Sequence, residues 1–423
     1  MSKDSILGWT LILLVGISLF LSFNIWSRVP GYISVTKINQ EENKIDPSTV
    51  LSPRKIQVYM GNSLNTIIKG SSPLYERTWD FAKSLLTAQW TISPEPSEAI
   101  KRESFRHKKG LELFFPTPLP MSFVKQFLNI STGDISHIDE RLIDSVVLID
   151  DEGLQGYLVD SDGLFYSMGK SESAEKLNSI VREISNSNPP LYASLTADVN
   201  LKIPGGVYVS LLSYELPVYS LKTQPVSEER LASNFFTDFS VTRRIQERDG
   251  TVIYTDGTQG LRIYKNGAIE YNLPGSREQR KGLSMYDAFK TAIDFVNSHG
   301  GWDENVYLDS YTKDISQTMT KYTFNFKIRV NGLTLTNADD YLNVTVEGNQ
   351  VKNYYRNVSI STKQEGLMEL MPPIEALNTA VSTKNIKVLD DIYPGYIIQD
   401  EKLIPVWIIK TSGMEVVIQD LPE

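Results

Sequence analysis

Ser145–Met168 reads SVVLIDDEGLQGYLVDSDGLFYSM, and this stretch decides the class of fold. SVVLID and LQGYLV are apolar runs separated by Asp151-Glu152-Gly153, and LFYSM follows the turn Ser161-Asp162-Gly163. Short apolar runs bounded by Asp, Ser and Gly predict a meander of three antiparallel strands. Working outward, KIQVYM at Lys55–Met60 predicts a first strand, and Leu111–Phe115 another. Helical spacing appears on both sides. Trp79, Ala82, Leu85 and Leu86 recur at helical intervals in Tyr75–Trp90, after Ser72-Pro73. Met121–Asn129 predicts a short helix, and Ala174–Ile184 an amphipathic one that ends before Pro189-Pro190.

The C-terminal half repeats a theme of one helix followed by several strands. Its helices are predicted at Glu228–Phe236, Met285–Asn297 and Ile374–Val381. Ser284 with Asp287 three residues later forms a capping signal, and Gly300-Gly301 a stop. Strands are predicted at Thr251–Tyr254, Leu261–Tyr264 and Ala268–Asn272, the last two joined by Asn266-Gly267. Tyr322–Val330, Tyr341–Glu347 and Gln350–Ser361 follow, then Ile386–Leu389, Gly395–Ile398, Leu403–Lys410 and Met414–Ile418. Helices set against antiparallel meanders make an α+β class. The expected organisation is a cytoplasmic tip over 1–5, an anchor over 6–26 and a linker over 27–50. Three α+β domains follow, N-terminal over 51–200, middle over 201–275 and C-terminal over 276–423.

The anchor is the uncharged run Ile6–Trp26, ILGWTLILLVGISLFLSFNIW. A helix of that length is roughly 30 Å long, one hydrocarbon core. Trp9 and Trp26 stand near its ends, where amphipathic rings anchor at the interface. The run is too long for a signal peptide and lacks a small-residue cleavage site, so an uncleaved single-pass anchor is expected. Leu11, Val15, Ser18, Ser22 and Ile25 fall on one helix face. Ser18 and Ser22 form a small-xxx-small pair that lets a second helix approach; an ordinary lipid-facing helix explains the spacing about as well.

The chain has 423 residues, a formal charge of −9, no cysteine and three histidines. Without cysteine there is no disulfide framework, thiol nucleophile or cysteine-ligated metal. His107, His137 and His299 are too far apart for a short metal motif. The acidic balance argues against nucleic acid as a partner. No phosphate-binding loop, dinucleotide fingerprint or nucleophile elbow occurs, so neither an enzyme nor a cofactor is expected. Asp160-Ser161-Asp162-Gly163 lacks the rest of a calcium loop and reads as a turn. Lys101, Arg102, Arg106, Lys108 and Lys109 form a basic run. It reads either as a patch for anionic surfaces or, more readily, as a solvated loop. Arg28, Lys37 and Lys44 just beyond the anchor favour an outside N-terminus by count, whereas a cysteine-free soluble region suits export, with the N-terminus in the cytoplasm and residues 27–423 outside.

Four segments carry a resemblance. They are Asn24-Ile25-Trp26 at the end of the anchor, Val50-Leu51-Ser52-Pro53-Arg54-Lys55-Ile56, Gly260-Leu261-Arg262-Ile263-Tyr264-Lys265-Asn266-Gly267, and Leu403-Ile404-Pro405-Val406-Trp407. With the single anchor and long soluble region, they resemble the YycH (WalH) family of Gram-positive bacteria. Ser52 departs from the Arg frequent there. The resemblance implies a non-enzymatic regulator, with the WalK (YycG) sensor histidine kinase and a YycI-like protein as partners. It further implies an extracellular soluble region and contacts made by the anchor helix with the kinase helices. The competing expectation is an anchored module that binds peptide or wall polymer, with PepSY-like units in its C-terminal half and no contact with the kinase.

Overall fold

The computed structural model describes residue 15 and residues 44–419, apart from 87–89, 98, 133–135, 172, 196–200, 204–205, 224–226, 276–282, 317–318, 339, 358–359 and 413. The expected anchor, with Trp9, Leu11, Ser18, Ser22, Ile25 and Trp26, lies outside the described residues, Val15 excepted. Among the described residues no helix is long and apolar enough to cross a membrane.

Three large antiparallel sheets organise the chain. The N-terminal sheet has six strands in the order Asn65–Ile68, Lys55–Met60, Lys109–Pro120, Leu142–Asp150, Leu154–Asp160 and Phe165–Ser171. The last three are the predicted meander. Its turn at Asp160 is closed by the carboxylate, whose Oδ1 accepts from the amides of Asp162 at 3.0 Å and Leu164 at 2.8 Å. This is the local side-chain bonding that makes Asp a turn residue. Helices Tyr75–Leu86 and Glu175–Asn186 present apolar faces to this unit, with Trp79, Ala82, Leu177 and Ile184 buried.

The central sheet has nine strands. Its path is Arg243–Gln246, Val252–Thr255, Gly260–Ile263, Ile269–Asn272, Gln350–Arg356, Leu342–Glu347, Thr320–Val330 and Val306–Ile315, with Leu333–Thr334 paired to Thr320–Val330. Helix Met285–Ser298 covers it. Ser284 caps that helix as the spacing predicts, accepting from the Asp287 amide at 3.1 Å and donating to its carboxylate at 2.7 Å. The C-terminal sheet orders Ile360–Leu370, Tyr214–Thr223, Lys402–Thr411 and Asp391–Gln399, with Met414–Ile418 beside Lys402–Thr411. Helix Pro373–Lys384 packs on it.

The sheets do not follow the domain limits drawn from the sequence. Ile269–Asn272 pairs with Gln350–Arg356, so one sheet runs across 275/276. Tyr214–Thr223, expected in the middle unit, pairs with Ile360–Leu370 in the C-terminal sheet. Gln350–Ser361, expected as one strand, supplies the end of one sheet and the start of another. These pairings join segments far apart in sequence, and local periodicity holds no record of them.

Packing divides the molecule differently from the chain order. The N-terminal and central units share one apolar core. Phe123 of helix Met121–Phe127 meets Phe289 edge-on at 5.4 Å and Tyr286 at 5.5 Å, closing the seam between them. The C-terminal sheet packs on a second core around Leu389, Tyr396, Trp407 and Ile409, which Val330 and Leu333 of the central sheet join. It meets the other two units over a joint rich in charge.

Candidate functional site

That joint holds a partly open cavity of about 60 Å³. Strands of all three sheets supply its walls. Arg54 and Lys55 come from the start of the first strand, Lys69 from just beyond the second, and Asp309 and Arg329 from the central sheet. Asp391, Lys410 and Glu415 come from the C-terminal sheet. Lys55 Nζ donates to Asp391 Oδ2 at 2.6 Å, and both side chains are nearly closed off from water. The two residues are 336 apart in sequence, so this pair ties the first sheet to the last. Burial by itself pushes the Asp391 carboxyl up, but Lys55, Arg54 and Lys69 outweigh it and hold the group below its ordinary value.

The remaining charges are less evenly matched. Arg54 forks onto Asp144 at 3.1 and 3.3 Å. Asp309 pairs with Lys327 at 3.0 Å, and Glu415 accepts from the Tyr393 hydroxyl at 3.0 Å. Arg329 is buried and donates to Ser52 Oγ and to the Ser52 carbonyl, each at 3.1 Å, with its guanidinium over the Tyr307 ring. Lys69 lies 5.8 Å from the centre of the Tyr214 ring. Among the described residues neither Arg329 nor Lys69 forms an ion pair with a carboxylate. Burial pushes Lys69 down to about 7, only partly opposed by Asp391 and reinforced by Lys55. Burial and Arg54 likewise lower Lys410.

Backbone closes the joint on one side. Gly332, in the Asn331-Gly332 turn, has φ +67°, and a Cβ there would stand 2.0 Å from the carbonyl carbon of Gly70. Only a residue without a side chain permits this approach.

A second feature faces the N-terminal end of the described chain. Asn297, near the end of helix Met285–Ser298, clamps the first described residues after 43. Its Oδ1 accepts from the Ile45 amide at 3.0 Å, and its Nδ2 donates to the Ile45 carbonyl at 3.1 Å. Trp302 Nε1 donates to the same Oδ1 at 2.9 Å. Asp46 then caps the one-turn helix Pro47–Val50, accepting from the Ser48 amide at 2.8 Å, and Val50 and Leu51 are fully buried.

The basic run at 101–109 does not present five free charges. Arg102 turns inward to Glu112, which is fully buried, at 2.8 and 3.0 Å. Glu112 also accepts from the Tyr59 hydroxyl at 2.6 Å and from Ser145 Oγ at 2.8 Å. Lys108 pairs with Asp151 at 2.5 Å. Lys101 and Arg106 are exposed, and Lys109 is half-buried in a strand. His299 is the C-cap of helix Met285–Ser298, stacked on Phe295 with centroids 3.8 Å apart; burial lowers its pKa. Among the described residues no group of three His, Asp or Glu could hold a metal ion.

Sequence reasoning missed the joint, because its residues come from separate strands. The available signal is a charge set at the start of, or within, an otherwise apolar strand stretch. Lys55 opens KIQVYM, and Arg329 stands between Ile328 and Val330.

Three antiparallel sheets meeting at a charged joint define an α+β class with solved precedent. The crystal structure of YycH from Bacillus subtilis has the same fold, with a TM-score of 0.65 and 16% identity over 89% of this chain and 99% of that one. An uncharacterized protein from Eubacterium rectale matches at a TM-score of 0.35, with 11% identity over 55% of this chain and 90% of that one. No curated protein matches. Residues 206–421, just over half of the chain, match the family described as YycH protein, C-terminal domain. The chain therefore belongs to the YycH family. Members of that family are non-catalytic accessory factors of the WalKR two-component system, anchored in the membrane with an extracellular domain.

Proposed function

We propose that this chain regulates the WalK (YycG) sensor kinase by contact, alongside a YycI-like protein, and so acts on cell-wall metabolism. In this reading the N-terminus is cytoplasmic and residues 27–423 are extracellular. The helix face of Leu11, Val15, Ser18, Ser22 and Ile25 lies against the kinase helices. A bound helix shifts a two-state kinase only by contacting its two states unequally. That requires the helix to report on something outside the membrane.

The Asn297 clamp supports this reading. Two hydrogen bonds to Ile45 fasten the segment leading from the anchor to the central unit, and the fully buried Val50 and Leu51 hold it there. The soluble body thus holds the chain at Ile45, on the C-terminal side of the expected anchor. Bacterial two-hybrid assays with the kinase, read beside a WalKR-dependent reporter, test the proposal. Ser18→Leu/Ser22→Leu is expected to weaken association and move reporter output. Unchanged association and output would refute the helix contact.

A further inference from the structure

The joint carries more positive charge than its own carboxylates neutralise. Five cations line the cavity, Arg54, Lys55, Lys69, Arg329 and Lys410, against Asp309, Asp391 and Glu415. Asp144 on Arg54 and Lys327 on Asp309 add one charge of each sign one step out, so an excess of two remains whenever Lys69 is protonated. This excess sits inside a chain whose formal charge is −9. Confining like charges in a low-dielectric region is unfavourable, and an anion that enters relieves it. Arg329 and Lys69, which have no carboxylate partner among the described residues, face the same space from two different sheets. A cavity of about 60 Å³ has room for about four water molecules. That is the size of one oxyanion head group.

We infer that the three-sheet joint is a binding site for a small oxyanion, a phosphate or a carboxylate head group, held between Lys69 and Arg329. Bound there, the anion would bridge the N-terminal and central sheets beside the Lys55–Asp391 pair, so its occupancy would tighten the joint.

The test is calorimetric titration of the full-length chain in detergent micelles at pH 6.5. Sodium phosphate and sodium acetate are titrated separately at constant ionic strength, with chloride as the reference anion. At least one is expected to give saturable binding: phosphate alone identifies a phosphate head group, and acetate as well admits carboxylates. Lys69→Met is expected to weaken binding by about tenfold or more, the scale of one lost charge-assisted hydrogen bond. Lys69→Arg, which keeps the charge, should retain it, and Lys384→Met, on an exposed helix end, should leave it unchanged. Absence of saturable heat with both anions would overturn the assignment. So would a folded Lys69→Met variant that binds as tightly as the parent chain.

Discussion

Breaking the Lys55–Asp391 pair should open the C-terminal sheet away from the rest. The two side chains are about one-tenth exposed and 2.6 Å apart. Removing one partner of such a pair leaves the other charge buried and costs about 3–5 kcal/mol. At 1.4 kcal/mol per decade, that is on the order of a hundred- to several-thousand-fold in the balance between closed and open joint. Asp391→Asn should be the worse single change, because it leaves five lining cations facing two carboxylates. Lys55→Met should cost less, since Arg54 and Lys69 still act on Asp391. The double variant should recover much of the loss, giving a coupling of about 2–3 kcal/mol. Urea denaturation of the four proteins measures the cycle. Hydrogen exchange locates the effect: amides of Asp391–Gln399 should lose protection well before those of Leu142–Asp150. Additive single effects, or protection lost evenly across both sheets, would refute the reasoning. The pH sign is fixed as well. The Asp391 carboxyl is held below its ordinary value in the fold. Its contribution is therefore present above the unfolded carboxyl value of about 3.9 and lost as pH falls through the lower folded value. Acid should loosen this joint.

Further outcomes follow from other contacts. Gly332→Ala combines a left-handed backbone with a clash against Gly70 and should cost about 2–4 kcal/mol in urea denaturation. Gly163→Ala has a similar φ of +83° but open space around it, so it should cost only about 1 kcal/mol. Lys69 titrates near 7 in the fold and near 10.4 when unfolded, so the unfolded chain binds more protons between those values and stability should rise with pH across that window. Lys69→Met should flatten the rise when urea midpoints are compared at pH 7 and pH 9. Glu112→Ala strands Arg102 and the Tyr59 hydroxyl and should destabilise by about 3–5 kcal/mol, measured the same way. Asn297→Ala should speed exchange of the Ile45 amide by tenfold or more while leaving the central sheet protected.

Local chemistry was legible in the sequence. KIQVYM is a strand over the residues expected of it, the Ser145–Met168 meander forms three adjacent strands, and Ser284 caps its helix through Asp287. Each depends on residues a few positions apart. The joint was not legible, because Lys55 meets Asp391 across most of the chain and neither residue's neighbours announce the other. The inward turn of Arg102 in the basic run was hidden for a related reason. Arg102 has a buried carboxylate ten residues away, and the strand alternation around Glu112 does not show that the two sheet faces are both covered. The C-terminal sheet was read as strands but not as a sheet, since Tyr214–Thr223 reaches it from the far side of the whole central unit.

Regulation of the sensor kinase by contact is the function proposed for this chain. Kinase reconstituted in liposomes, with and without the full-length chain and a YycI-like protein, tests it most directly through the rate of autophosphorylation. The rate is expected to change when the chain is present and to return toward the kinase-alone value with Ser18→Leu/Ser22→Leu. A rate that is the same with the chain, without it and with the variant would contradict it.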